Sequence, residues 1–171
     1  IKEGIAGLAQ IPGRFEKIEN SLGFHVVVDY AHTDASLQSL LETVRDLKPA
    51  RILLVFGAGG DRDRAKRPRM GAVAARYADW TFLTSDNPRS EDPAAIIAEI
   101  EAGFTAAGGA KYTIIPDRRE AITRALAEAG EGDFVVLAGK GHETTQTSGT
   151  NVRPFSDAGV AREILAALEK K

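Results

Sequence analysis

The chain reads as an α/β protein: a Rossmann-like three-layer domain, with a mostly parallel sheet of about six strands, helices on both faces and an antiparallel strand at one edge. Two observations predict this. Short apolar, β-rich runs recur at residues 24–30, 51–57, 80–84, 112–115 and 134–138, and continuous runs of that length suit strands buried on both faces. Between them lie stretches whose apolar residues recur every three or four positions, the period of a helix stripe. Strictly alternating strands and helices imply parallel strands joined by crossovers.

The first element in order is a strand over residues 14–19, which precedes the alternation and is placed antiparallel at an edge. The first buried strand follows at 24–30. Leu37, Leu40, Leu41, Val44 and Leu47 then form one helical stripe. After the strand at 51–57, Met70, Val73, Ala74 and Tyr77 repeat that spacing. Beyond the strand at 80–84, Asp92 is an N-cap with Pro93 at the first helical position, ahead of Ile96, Ile97, Ile100 and Phe104. Past the strand at 112–115, Asp117 and Glu120 resemble a capping box before Ile122, Ala125, Leu126 and Ala129, and Gly130 is placed to end that helix. The last buried strand is 134–138. Residues 144–153 are polar and rich in Gly, Ser and Thr, so they read as an exposed loop or a hairpin. Ser156 caps a final helix, with Phe155 and Val160 as a hydrophobic staple. No internal repeat or low-complexity linker is visible.

At 171 residues the chain fits one domain with a sizeable core. Its hydrophobic content of 43% and charged content of 27% are those of an ordinary soluble globular protein. A formal net charge of −2 points to neither nucleic acid nor an anionic membrane as a partner. Without cysteine there are no disulfides or thiolate metal sites, and three histidines offer little for zinc, so no metal site is expected. No apolar run approaches the roughly 20 residues of a membrane span, and no signal peptide opens the chain. Opening on Ile1 rather than Met, it is expected to be a piece of a longer protein.

In open parallel sheets, ligands bind beyond the carboxyl ends of the strands. That rule selects the loops at 30–34, 57–69, 85–92 and 139–146. In GAGGDRDRAKRPR, residues 57–69, the glycines permit positive φ and let backbone N–H groups face a ligand. From Asp61 to Arg69 there are five basic and two acidic residues, a surplus that suits a carboxylate or phosphate. The spacing is not that of a P-loop, and the plainer reading is a solvated helix start with surface ion pairs. In SDNPRSEDP, residues 85–93, Asp86, Asn87, Pro88 and Arg89 set an acid, an amide and a base around a rigid proline. They form either a capping turn or a loop recognising an ammonium and a carboxylate. In AGKGHETTQ, residues 138–146, two glycines flank Lys140. A catalytic His142–Glu143 pair is disfavoured, because neighbours on a strand point to opposite sides. A tight turn presenting Glu143 to an ammonium is the more modest role. In VVVDYAHTD, residues 26–34, Asp29 could hold a ribose hydroxyl while the ring of Tyr30 or His32 lies against a nucleotide. Alternatively, Asp29 or Thr33 caps the next helix and Tyr30 packs. Together the loops set Arg62, Asp86, Asn87, Arg89 and Glu143 where they can converge. Arginine on a carboxylate, with an acid on an ammonium, is the chemistry of amino-acid recognition.

IPGRFE, VVDYAHTD, GGDRDRAKRP, SDNPRSEDP and AGKGHETTQ, in this order, resemble the C-terminal domain of the Mur ligases, and within them the branch that adds diaminopimelate in bacterial peptidoglycan synthesis. The resemblance covers essentially the whole chain, and DNPR is its signature for that amino acid. It implies residues 1–13 as an interdomain linker with a hinge near Pro12 and Gly13, and 14–171 as the amino-acid-binding domain of a three-domain cytoplasmic enzyme. The reaction it implies is an amide ligation. ATP and Mg2+, held mainly by the other domains, serve to make an acyl phosphate on UDP-N-acetylmuramoyl-L-alanyl-D-glutamate, which an amino group of meso-2,6-diaminopimelate attacks.

Residue by residue, the resemblance implies Arg62 on a diaminopimelate carboxylate and Arg89 on the distal carboxylate. Asp86 and Asn87 fall near the distal amino group, Pro88 belongs to the motif, and Gly139 and Glu143 supply the remaining contacts. Arg14 is implied to reach the ATP phosphates, and Asp29, Tyr30 and His32 to close over the nucleotide. No catalytic residue is implied here, and the chain alone is expected to be inactive. Two departures show: Ala65 where the family usually has Gly, and Asp34 where it has Pro. Ala65 requires a backbone region open to non-glycine residues, and Asp34 is expected to supply a helix cap. The rival reading is a stand-alone binding or regulatory module on a doubly wound fold, with Asp29 as a receiver-type or metal-type acid; the lack of a second acid beside the first strand speaks against it.

Overall fold

In the computed structural model, which describes residues 11–170, the apolar runs become the strands of a three-layer α/β/α domain. β1 (Glu16–Ile18) and β2 (His25–Asp29) come first, then α1 (Asp34–Asp46), β3 (Ile52–Phe56), α2 (Lys66–Tyr77) and β4 (Trp80–Leu83). α3 (Pro93–Ala106), β5 (Tyr112–Ile114), α4 (Arg118–Glu128) and β6 (Phe134–Ala138) follow. A hairpin of β7 (Thr145–Ser148) and β8 (Asn151–Pro154) leads into α5 (Asp157–Leu168). The main sheet has six strands in the order β1-β2-β6-β3-β4-β5. All its pairs are parallel except β1 on β2, which is antiparallel at the edge as the sequence predicts.

Every residue of β3 and β6 is buried, because helices cover both faces. Side chains alternate between those faces. Val27, Leu54 and Val136 pack with Leu37, Leu41, Met70, Ile97 and Phe104 beneath α1, α2 and α3. Val26, Val28, Leu53, Val55 and Leu137 meet Ile122, Leu126, Val160 and Leu165 of α4 and α5. Each such buried side chain contributes about 1.5–3 kcal/mol.

Helix starts mostly follow their sequence signals. The Asp92 side chain accepts from Ala94 N, with Pro93 opening α3, and the Asp117 side chain accepts from Glu120 N at α4, without the return bond to the Glu120 side chain that a capping box needs. Ser156 accepts from Gly159 N, and the staple pair Phe155 and Val160 is buried in one cluster. At α1 the sequence offers Thr33 and Asp34 as caps. Thr33, not Asp34, is its cap, through a reciprocal pair of bonds with Ser36, and Asp34 occupies the first turn, where a negative charge favours the helix dipole. Ala65 lies in the right-handed helical region, at φ −63 and ψ −22, which alanine adopts without strain.

The linker falls mostly on residues 1–10, outside the described residues. Gly13 is described, and its left-handed φ of +68 suits glycine; a Cβ there would sit 2.0 Å from His142 N. The 144–153 stretch is a hairpin turning at Gly149 (φ +57), and it is not wholly exposed, since Gln146 is buried. The chain runs outward from β3 to β5 and returns to insert β6 between β2 and β3. The carboxyl ends of β2, β3, β4 and β6 therefore meet at a topological switch, where such sheets bind ligands.

Candidate functional site

The loops after those four strands enclose a cleft of about 420 Å³. Arg62, Asp86, Asn87, Arg89, Gly139 and Glu143 line it, with Tyr30 and His32 on the β2 side. Two residues that sequence reasoning did not single out, Asp63 and Lys66, reach the same cleft. Lys66 Nζ donates to His32 O at 2.9 Å, and burial pushes its pKa below the usual lysine range. Pro88 is not brought to the cleft; it lines a separate hollow of about 380 Å³ with Ser85, Pro93 and Pro116.

What sets the Asp86–Arg89 loop is less the proline than the hairpin beside it. Gln146 Nε2 donates to Asp86 O at 2.7 Å, and Thr147 N donates to Asn87 Oδ1 at 3.0 Å. Arg89 N donates to Thr147 O, and Arg89 O accepts from Gly149 N. The loop thereby borrows the edge of β7 as a template, and Arg89 is held at a left-handed φ of +51. Its Nη1 donates to Gly60 O at 2.7 Å, which aims the guanidinium across the cleft mouth towards the loop that carries Arg62.

A buried ammonium organises the anionic side. Lys140 is wholly buried, and its Nζ donates to Asn87 Oδ1 at 3.2 Å and Glu143 Oε2 at 3.0 Å. Asn87 Nδ2 donates to the same Glu143 oxygen at 2.8 Å. Asn87 Oδ1 thus accepts from both Lys140 and Thr147, which fills its two lone pairs. Only an N–H is left to offer a ligand, so Asn87 suits a carboxylate, and an ammonium falls to the acids. Of these, Asp86 is 6% exposed. Among the described residues no hydrogen bond reaches its carboxylate, and Lys140 Nζ stands 3.8 Å away. Burial raises the Asp86 pKa above the usual carboxylate range, with Arg118 and Lys140 opposing the shift. The 140–143 turn closes through Glu143 N to Lys140 O, with Gly141 at φ +52. His142 points away from the acids, its ring 5.4 Å from that of Tyr30.

The 57–69 loop departs from expectation in two ways. Gly57, Gly59 and Gly60 are not among the positive-φ glycines; they are needed for close approach. A Cβ on Gly60 would lie 1.9 Å from Pro88 O, and Gly60 N donates to Asn87 O rather than facing a ligand. The basic run also divides. Arg64 and Arg69 make exposed ion pairs, whereas Arg67 is fully buried and binds Glu91, Glu99 and the Gly59 carbonyl. Glu91 in turn accepts from Asp61 N, and Ser90 donates to Asp61. Ser90 and Glu91 look in sequence like the mere approach to a helix cap, yet they tie the 57–69 and 85–92 loops together.

On the β2 side, Asp29 serves the backbone: its carboxylate accepts from Phe15 N and Ala31 N, at 2.7 and 2.8 Å. That fixes the chain on either side of a small aromatic group. The Tyr30 ring lies 4.5 Å from His32, and the Arg14 guanidinium sits 5.2 Å above it. Asp29 itself faces away from the cleft, towards Ser36 and Leu40. Among the described residues no group of three or more His, Asp or Glu side chains could hold a metal ion, and no helix is long and apolar enough to cross a membrane.

Residues 13–141 match the family described as Mur ligase, glutamate ligase domain. The chain is 52% identical to the UDP-N-acetylmuramoyl-L-alanyl-D-glutamate–2,6-diaminopimelate ligase of Syntrophomonas wolfei, over 96% of this chain and 34% of that protein. It is 51% identical to the ligase of that name from Geobacillus thermodenitrificans, over 95% of this chain and 33% of that one. A solved structure bearing the same ligase name superposes with a TM-score of 0.86 at 40% identity, covering 98% of this chain and 34% of that chain. The UDP-N-acetylmuramate-alanine ligase of Thermotoga maritima shares the fold, with a TM-score of 0.64 at 14% identity over 94% of this chain and 30% of that one. The chain spans about a third of the length of the curated relatives it matches.

Proposed function

Because this chain belongs to the Mur ligase family, through its glutamate ligase domain, we propose that it is the amino-acid-binding domain of a ligase that joins meso-2,6-diaminopimelate to UDP-N-acetylmuramoyl-L-alanyl-D-glutamate. The observation that carries this reading is the charge pattern of the cleft: Arg62 and Arg89 beside Asp86 and Glu143. Diaminopimelate has two carboxylates and two ammonium groups. Arg89, with the Asn87 N–H, takes the distal carboxylate, Arg62 the other, and Asp86 and Glu143 receive ammonium. Gly139 is the close floor of the site, where a Cβ would come within 2.7 Å of Asp86 Oδ2.

Arg14, Tyr30 and His32 form the face that closes over ATP, with Asp29 holding their backbone. Gly13 is the swivel, packed on the Gly141–His142 turn. ATP and Mg2+ act in the rest of the ligase; bound there, ATP would supply the phosphoryl group that activates the substrate carboxylate, with ADP leaving. This chain's part is to bind the amino acid, orient the attacking amine and cover the site, so alone it does not catalyse ligation.

Lysine lacks the distal carboxylate. It would leave Arg89 without its partner, and a recognition site rejects a ligand that strands its charged groups. Because Arg89 is partly exposed, the discrimination should fall below the roughly 3–5 kcal/mol of a broken fully buried pair. The test compares diaminopimelate and lysine incorporation by the full-length ligase, wild type and Arg89→Ala, with the isolated chain as the inactive control. Wild type is expected to favour diaminopimelate strongly and Arg89→Ala to lose most of that preference. Unchanged incorporation by Arg89→Ala would refute the assignment.

A further inference from the structure

The function proposed above leaves one buried charge without a task. Lys140 Nζ contacts Asn87 and Glu143 and lies 3.8 Å from Asp86, so three cleft residues from two loops meet on one ammonium. We propose that Lys140 is a positioning residue of the amino-acid site: it sets one positive charge between Asp86 and Glu143 and fixes Asn87 with its N–H towards the ligand. The proposal rests on the reading of the cleft as an amino-acid site.

Three features support it. The first is charge. The ionisable groups around Asp86 are Arg118, Lys140, Glu143 and Asp157, with Lys66 across the cleft. Arg118 is committed to Asp157 through two bonds, at 2.8 and 2.7 Å, and Lys66 donates to the His32 carbonyl. Lys140 is therefore the cation that joins the acids facing the ligand, and two such acids without a counter-ion would share a proton.

The second is the orientation of Asn87. Turning its amide over would aim the NH2 group at the Lys140 ammonium and the Thr147 N–H, donor against donor. The third is the backbone. Gly139 at φ +113 and Gly141 at φ +52 bracket Lys140, and these bends, open to glycine, turn the lysine inward at the end of a fully buried strand. Glu143 Oε1 has no partner among the described residues, since both bonds to the carboxylate use Oε2. A ligand ammonium thus meets a carboxylate with one oxygen anchored and the other free.

The test uses the full-length ligase with Lys140→Met, which keeps the chain length and removes the charge. The KM for diaminopimelate is expected to rise about 10–100-fold, by analogy with the loss when a partner that orients a metal ligand is removed, while kcat falls far less. The rise should steepen as pH is lowered from about 9 to about 6.5, because the ligand ammonium must then displace a proton shared by the acids; the wild-type KM should stay much flatter. A lysine serving stability alone would reduce the amount of active enzyme and leave KM and its pH profile as in wild type, and that result overturns the proposal. Should the variant not accumulate as folded protein, nitrogen-15 NMR of the unmodified chain decides. Lys140 is expected to give an ammonium signal protected from water exchange without ligand and displaced on adding diaminopimelate. No protected signal, or one indifferent to the ligand, also overturns it. A wild-type ligase unable to use diaminopimelate would instead sink the functional reading itself, independently of Lys140.

Discussion

Arg89 combines a charge that lines the cleft with a strained backbone. Its φ of +51 lies in the left-handed region, which costs an L-residue roughly 1 kcal/mol. The strain persists because the β7–β8 hairpin clamps both its N–H and its carbonyl, and Asp61 on the facing loop is similarly left-handed at φ +53. Non-glycine residues held this way cluster where geometry serves function. Comparing Arg89→Gly with Arg89→Ala separates the two contributions. Both should lose selection for diaminopimelate, because both lack the guanidinium. Glycine adopts the left-handed region freely, so Arg89→Gly is expected to be more stable than Arg89→Ala by about 1 kcal/mol, read from denaturant midpoints of the isolated chain. Equal midpoints would mean that the loop relaxes once the side chain is gone, and that the hairpin clamp is weaker than its bonds suggest.

Among elements, the decisive unit is the pair of loops after β3 and β4, and Glu91 is its rivet. Hydrogen bonds from Arg67, then from the Asp61 N–H, hold the Glu91 carboxyl well below its usual value of 4.5, at about 2. A carboxylate whose pKa is lower in the folded state stabilises the protein above its unfolded pKa, and that contribution fades as pH falls through the folded one. Glu91→Gln should therefore be less stable than wild type at neutral pH, and the gap should close as pH falls from 4.5 towards 2. Acid titrations of unfolding for the two proteins measure this; a gap that stays constant with pH would remove Glu91 from that role. The same loops show what a sequence does and does not display. Strands and helices were legible because burial on two faces and helical stripes impose short periods, and Asp86, Asn87, Arg89, Arg62 and Glu143 stood out as polar residues at strand ends. The anchoring was not legible, because its partners are distant in the chain. Arg67 and Glu91 are 24 residues apart, Lys140 and Asn87 53, and Gln146 and Asp86 60. The glycines of the 57–60 segment were misread for a related reason: positive φ is a local property, whereas close approach to Pro88 depends on a second loop.

For the molecule as a whole, the site stands on strands whose two faces are held by different helices, and one ion pair joins the second face to the floor of the cleft. Arg118 opens α4 and Asp157 opens α5, both side chains fully buried. Arg118 also donates to the carbonyl of Ala138 at 2.9 Å, the residue before Gly139 and Lys140. A cation at a helix N-terminus opposes the helix dipole, so Arg118 is tolerable there only with Asp157 against it. Even so, its Nη1 has no partner among the described residues, which fits a pair kept for geometry as much as for stability. Burying two charges carries a large desolvation cost that the pair recovers only while both partners remain. Arg118→Met alone should therefore cost about 3–5 kcal/mol by stranding Asp157, whereas Arg118→Met with Asp157→Leu should recover most of that loss. Chemical denaturation of the isolated chain gives both values, with unchanged denaturant slopes showing that the same surface unfolds. If the single variant cost under about 1 kcal/mol, within the range of an exposed pair, water must reach this face of the sheet. If the double variant regained its stability but the full-length ligase bound diaminopimelate more weakly, the role of the pair would be to place β6 and the turn that follows it, linking the second helical layer to the cleft.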